Sequence, residues 1–219
     1  MPGDIIAEAR RQIEICNACR YCEGYCSVFP AITRRRSFAD EDVTQLANLC
    51  HNCRGCYYAC QFTAPHEFDL NLPKVLAELR QDTWEENAVP SSVARAFNAS
   101  GVAVAMAAIA GFALLLWAAK SMGSSGGEGF YQVLSHGAMV AIFTPAFLFP
   151  LAVIAVSLRR YWKSIGGGTI RFNDVMAALC SASRARDLAG GHGEGCNFED
   201  EDRFSNSRRI YHQLVMYGF

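Results

Sequence analysis

Eight cysteines between positions 16 and 60 constrain this chain more than any other feature. They fall as Cys16-x2-Cys19-x2-Cys22-x3-Cys26 and then, after 23 residues, as Cys50-x2-Cys53-x2-Cys56-x3-Cys60. The second run repeats the spacing of the first, so the head is an internal duplication. The start of the chain, MPGDIIAEARRQIEIC, has no basic region followed by a long apolar core and is not a secretory signal. The head is therefore expected on the cytoplasmic side, where thiols stay reduced and free to hold metal and a disulfide framework is disfavoured.

Three thiolates at successive three-residue steps wrap one corner of an iron–sulfur cubane and bind three of its irons, and the fourth iron needs a thiolate from elsewhere. In two-cluster ferredoxins the last cysteine of each run serves the other cluster. The expected ligands are thus Cys16, Cys19, Cys22 and Cys60 for one [4Fe–4S] cluster, and Cys50, Cys53, Cys56 and Cys26 for a second. The competing reading is a pair of zinc sites, although zinc motifs usually join two separated Cys-x2-Cys pairs. Pro30 and Pro65 do not directly follow the last cysteines, which speaks against the small β-type ferredoxin fold. Segments 3–15, 40–49 and 72–86 have helical apolar spacing, and nothing near the cysteines alternates like a strand pair. The expected fold class is mainly α: a helical ferredoxin-like head with two [4Fe–4S] sites, followed by transmembrane helices. Tyr21, Tyr25, Phe29, Tyr57, Tyr58 and Phe62 are expected to exclude water from the clusters, and His51 and His66 to be packing or hydrogen-bonding residues. Arg34-Arg35-Arg36 reads either as a solvated turn or as a dock for an acidic partner.

Twenty basic against 21 acidic residues leave a net charge of −1, which argues against nucleic-acid binding through bulk electrostatics. Two long uncharged apolar runs, about residues 101–119 and 137–158, are each long enough to cross a bilayer as a helix. Pro145 and Pro150 are expected to kink the second. Gly101/Ala105 and Ala107/Gly111 are spaced for close helix approach, or simply reflect abundant small residues. Arg159, Arg160 and Lys163 follow the second run at once, whereas the loop between the runs holds only Lys120 and Glu128. Positive-inside logic then places both head and C-terminal part in the cytoplasm.

The expected organisation is a cysteine head over 1–70, a connecting helix over 71–96 and two membrane spans within 97–163. A cytoplasmic loop with a short helix follows over 164–209, and 210–219 begin a third apolar run. That run is too short to span and suggests a C-terminally truncated chain. Gly166 to Gly168 read as a flexible connector, not a phosphate loop. His136 and His212, at span ends, are candidate haem ligands or plain interfacial side chains. They are not ligands of the same haem, because they fall at opposite faces of a roughly 30 Å core. Cys180 and Cys196 read as reduced thiols without a role, and His192 beside Cys196 hints at a metal site. No acid/base pair or nucleophile stands out, so the chain is expected to carry electrons and to have no substrate catalytic site of its own.

The duplicated motif, His136-Gly137-Ala138-Met139-Val140, Gly195-Cys196-Asn197, and the stretch from Arg208-Arg209-Ile210-Tyr211-His212 to Tyr217-Gly218-Phe219 resemble the tricarballylate (citrate) utilization protein B family. The resemblance covers essentially the whole chain, and family members continue past residue 219 with more membrane helices. It implies a bacterial cytoplasmic (inner) membrane protein with two [4Fe–4S] clusters and a haem b. Such a protein takes electrons from an FAD-containing flavoprotein, a tricarballylate dehydrogenase, and passes them towards the quinone pool. Two alternatives remain: the iron–sulfur subunit of another respiratory, heterodisulfide- or fumarate-reductase-like oxidoreductase, and a zinc-stabilised membrane adaptor with no redox role.

Overall fold

The structure, a computed structural model, describes residues 2–122, 135–186, 198–199 and 203–219. Glu128, His192 and the Gly195-Cys196-Asn197 loop lie outside the described residues. The chain divides into two compact units, one of residues 1–82 with 164–219 and one of residues 83–163.

In the first unit, the core is formed by α1 (Pro2–Cys19), α2 (Val28–Thr33), α3 (Asp40–Leu49) and α5 (Leu72–Asn87), with the short α4 (Gly55–Ala59) inside the second cysteine run. Helical spacing sets each buried stripe: Ala9 and Ile13 on α1, Val43, Leu46 and Ala47 on α3, and Leu72, Val75, Leu76 and Leu79 on α5. Val28, Phe29 and Ile32 of α2 complete the cluster. Asp40, Glu41 and Asp42 fill the first turn of α3, where negative charge complements the helix dipole. Asp42 also accepts the Ala39 N–H at 3.2 Å, which uses one donor left free at the helix start. Buried Gln12 is satisfied at both ends: its amide donates to Glu8 at 2.7 Å, and its oxygen accepts the Asn71 N–H at 3.0 Å. That second bond ties α1 to the start of α5. Arg10 joins α1 to α3 by donating to the Phe38 carbonyl at 2.9 Å and pairing with Asp40.

The ferredoxin part of the expected fold class is overturned. A ferredoxin-like architecture mixes helices with strands, and the described residues are almost entirely α-helical. Among the described residues, strand is confined to a two-residue antiparallel pair, Phe198–Glu199 (β1) with Arg203–Phe204 (β2), far along the chain from the two cysteine runs. The descriptors iron–sulfur, 4Fe-4S, helical ferredoxin and haem were attached to that mixed architecture and are corrected with it, since this strand-poor fold gives them no support of its own. The physical reason is that the cysteine runs fold as helix ends and tight turns, with no extended segment for a neighbour to pair with.

The first unit also includes α9 (Phe172–Ser183) and α10 (Ser207–Gly218). Side chains of α10 serve the carbonyls at the end of α9: Tyr217 donates to Ser183 at 2.7 Å, and Arg209 donates to Arg184 at 2.9 Å. These carbonyls have no partner within their own helix, so the bonds both cap α9 and fix α10 beside it.

The second unit contains α6 (Ser91–Ala99), α7 (Gly101–Met122) and α8 (His136–Ser164). At 1.5 Å per residue, α7 is about 33 Å long and α8 about 44 Å. Both are long and apolar enough to cross a membrane by length and composition, and neither apolar stretch is buried within the protein. The rings of Phe112 and Phe143 meet edge-on at 6.3 Å and join α7 to α8. Helix α8 runs on through Pro145 and Pro150. Gly101 lets the Phe97 ring approach, since a Cβ there would meet it at 3.3 Å, whereas Gly111 faces open space. The Ala107/Gly111 pair is therefore not at a close helix contact.

Candidate functional site: two hollows lined by thiols

The eight cysteines line two separate hollows in the first unit. Cys16, Cys19, Cys22 and Cys60 line one of about 40 Å³, which Cys56 also borders. Cys26, Cys50, Cys53 and Cys56 line a larger one of about 590 Å³. The last cysteine of each run thus lies with the first three of the other. Helix α1 ends at Cys19 and so presents Cys16 and Cys19 from a rigid element, while α4 carries Cys56 and α3 ends just before Cys50.

The two runs share a backbone device. Arg20 follows Cys19 with φ 56°, and Arg54 follows Cys53 with φ 62°, both in the left-handed region. That turn bends the chain between the second and third thiols of each run, and Asn52 at φ 54° adds another in the second. The matching Cys-Arg-x-Cys register is visible in the sequence, although its conformation is not. Further features have no sequence signal: Arg80 of α5 donates to the Cys50 carbonyl, and backbone N–H groups point at sulfur. Asn52 donates to the Cys50 Sγ at 3.4 Å and Phe62 to the Cys60 Sγ at 3.4 Å.

Burial pushes the Cys16 thiol up to about 12 and the Cys22 thiol up to about 11, with neighbouring thiols, Cys60 first, adding to the effect. Cys56 is raised chiefly by burial and then by Cys26. Cys26 and Cys50 are raised by burial too, opposed by hydrogen bonds from Val28 and Asn52 respectively. Each raised group favours its neutral thiol in the fold. For Cys16 and Cys22 that contribution to stability is complete below the ordinary thiol value and is lost as pH rises through about 11 to 12. In the reduced, chelator-treated chain at pH 8, iodoacetamide is expected to reach the exposed Cys19 and Cys53 first and Cys16, Cys22 and Cys56 last. Peptide mass spectrometry reads the order, and equal labelling at pH 8 would contradict this picture of the hollows.

Among the described residues, no three His, Cys, Asp or Glu side chains converge tightly enough for a single metal ion. A tetrahedral zinc draws its sulfurs in to about 2.3 Å from one centre. The thiols instead stand around hollows, and their type, number and N–H···S bonds fit a larger thiolate-held group.

The other candidates fall as follows. Phe29 is buried and Tyr25 packs on the core, but Tyr21 and Tyr58 are 67% and 78% exposed and shield little. His66 accepts the Phe68 N–H at 3.1 Å and meets the Phe62 and Phe68 rings edge-on, a packing role. All three arginines of the run Arg34-Arg35-Arg36 are exposed, and Arg35 pairs with Asp42 at 2.6 Å within the chain. His136 is exposed at the start of α8, in the second unit. His212 is exposed on α10, in the first, with its Nδ1 2.8 Å from the Arg208 carbonyl. Cys180 is an exposed free thiol on α9.

Two family descriptions match the sequence: the Citrate utilization protein B Fer4-like domain over residues 9–86, and Citrate utilization protein B over residues 92–219. A curated relative, Citrate utilization protein B of Escherichia coli, is 39% identical over 220 residues, covering 97% of this chain and 57% of the relative. The chain therefore spans a little over half the length of that relative. No solved structure matches.

Proposed function

Because the chain belongs to the Citrate utilization protein B family, we propose that it is a membrane-anchored electron-transfer protein whose two thiol sets each hold a [4Fe–4S] cluster. The observation that carries this reading is the sorting of eight thiols into two sets of four, with Cys60 and Cys26 exchanged between the runs. A cluster, when bound, supplies one-electron transfer without any proton chemistry. The chain's own residues do the rest. The thiolates would hold the irons, the Asn52 and Phe62 N–H groups would stabilise charge on sulfur, and buried Phe29, which joins the walls of both hollows, would keep water from them. The proposed donor is the reduced flavin of a partner dehydrogenase acting on a tricarballylate-like acid, and the proposed destination is the quinone pool. Haem is left out of this reading, and His136 and His212 are both exposed side chains.

The test is iron and acid-labile sulfide analysis of anaerobically purified protein, with absorption spectra before and after dithionite. About eight irons per chain and a broad band that bleaches are the expected result. Zinc without iron, in a colourless protein, would sink the reading in favour of an adaptor. Adding the reduced flavoprotein in place of dithionite then tests the donor.

Helices α7 and α8 are proposed to lie in the bacterial cytoplasmic membrane, with Arg159, Arg160 and Lys163 holding the C-terminal end of α8 at the cytoplasmic face. Ile109 sits mid-way along α7 and is 64% exposed. Ile109→Lys is expected to weaken insertion by about 3–4 kcal/mol. Alkaline carbonate extraction reads this as a share of the chain released from membranes, while Ile109→Val stays with them.

A further inference from the structure

The two hollows differ in size far more than two copies of one motif require. The second holds about 590 Å³, within the range of cofactor and small-molecule sites, and its outer wall is built by α9 and α10. That wall is fixed, since α10 is bonded to the end of α9 through Tyr217 and Arg209. Arg54, Arg186, Arg208 and His212 line the hollow, and among the described residues no Asp or Glu does. None of the three arginines has an ion pair among the described residues. Unpaired guanidinium groups around a concave surface recognise phosphate or carboxylate. Phe29 and Leu76 on one side and Ala182 on the other give it an apolar lining as well, which a small inorganic anion would leave unused. Asn52, also in the lining, has a buried side-chain oxygen without a hydrogen-bond donor. A buried acceptor left unmatched is costly, and a ligand N–H would satisfy it.

We propose that this hollow is a binding site for a phosphorylated flavin. Its phosphate would lie among Arg54, Arg186 and Arg208, its ring system on the apolar wall, and its imide N–H on the Asn52 oxygen. No simple anion meets all three demands, and no neutral ring compound meets the first. The redox meaning of such a site, a flavin beside the second thiol set, rests on the electron-transfer reading above; the binding does not.

The experiment is equilibrium dialysis of the detergent-solubilised full chain, with its bound groups in place, against oxidised flavin mononucleotide. Retention of flavin mononucleotide is expected, with at least about tenfold weaker retention of riboflavin, which lacks the phosphate. Arg186→Gln and Arg208→Gln, both at surface-accessible positions, should each weaken retention by about tenfold, whereas Arg34→Gln, away from the hollow, should not. Equal retention of riboflavin and flavin mononucleotide would overturn the proposal, as would variants that bind like the original chain or an absence of retention. Displacement of the flavin by equimolar inorganic phosphate would overturn it too, leaving only a simple anion site. Since dialysis needs no electron transfer, a failure here leaves the iron analysis standing, and a failure there leaves the dialysis result standing.

Discussion

Cys60→Ala is expected to remove about half of the iron from the purified protein, and the iron lost is that held by the first run, not the second. Cys60 belongs to the second run in sequence but lines the small hollow with Cys16, Cys19 and Cys22. The neighbouring thiols that most affect Cys16 and Cys22 also include Cys60 first. If the two sets are independent, the double variant Cys16→Ala/Cys60→Ala loses no more iron than either single variant. Cys50→Ala combined with Cys60→Ala, striking both sets, loses nearly all of it. Iron and sulfide assays give the totals, and low-temperature electron paramagnetic resonance of the reduced protein gives the identity of the surviving centre. An arrangement in which each run served only itself would reverse the pattern, with Cys16→Ala/Cys60→Ala losing everything.

Ile13→Ala should open the head. Ile13 is fully buried where α1 meets α2, α3 and α5, and removing its side chain leaves a cavity that rigid helices fill poorly. Such truncations cost about 2–5 kcal/mol, against total domain stabilities of about 5–15 kcal/mol. Hydrogen exchange read by mass spectrometry is expected to show α1, α3 and α5 losing protection together. Ile13→Val should cost only about 0.5–1.5 kcal/mol and leave them nearly unchanged. Exchange confined to α1 would show that the helices do not share one core. The damage should reach the thiols, because Cys16 and Cys19 are mounted on the same helix six residues or fewer from Ile13.

Much of this was legible from residue spacing, because helices announce their buried faces locally. Val43, Leu46 and Ala47, or Leu72, Val75, Leu76 and Leu79, mark a helix and its inward side without knowledge of what they pack against. The apolar lengths of α7 and α8 were equally plain, and Val89-Pro90-Ser91 marks where α5 gives way to α6. The ferredoxin label failed because cysteine spacing specifies a ligand set and not the scaffold around it. What stayed hidden was non-local. Tyr217 reaches a carbonyl 34 residues back at Ser183, and Arg80 one 30 residues back at Cys50, and neither bond leaves a local pattern. The size of the second hollow depends on just such distant pairings, since its far wall comes from α9 and α10, which read in the sequence only as a short helix in a loop and the start of an apolar run.

The left-handed arginines have a consequence for how the duplication persists. Glycine would adopt the same turn without steric cost, whereas a side chain there costs roughly 1–2 kcal/mol each time. Arg20 and Arg54 both meet that cost, at equivalent places in two copies that otherwise differ in nearly every non-cysteine residue. Exchange for glycine would therefore relax the backbone while stripping a permanent positive charge from the rim of each hollow. The two effects have opposite signs, so the isolated chain would become harder to unfold and, at the same time, less hospitable to anything negative placed inside it.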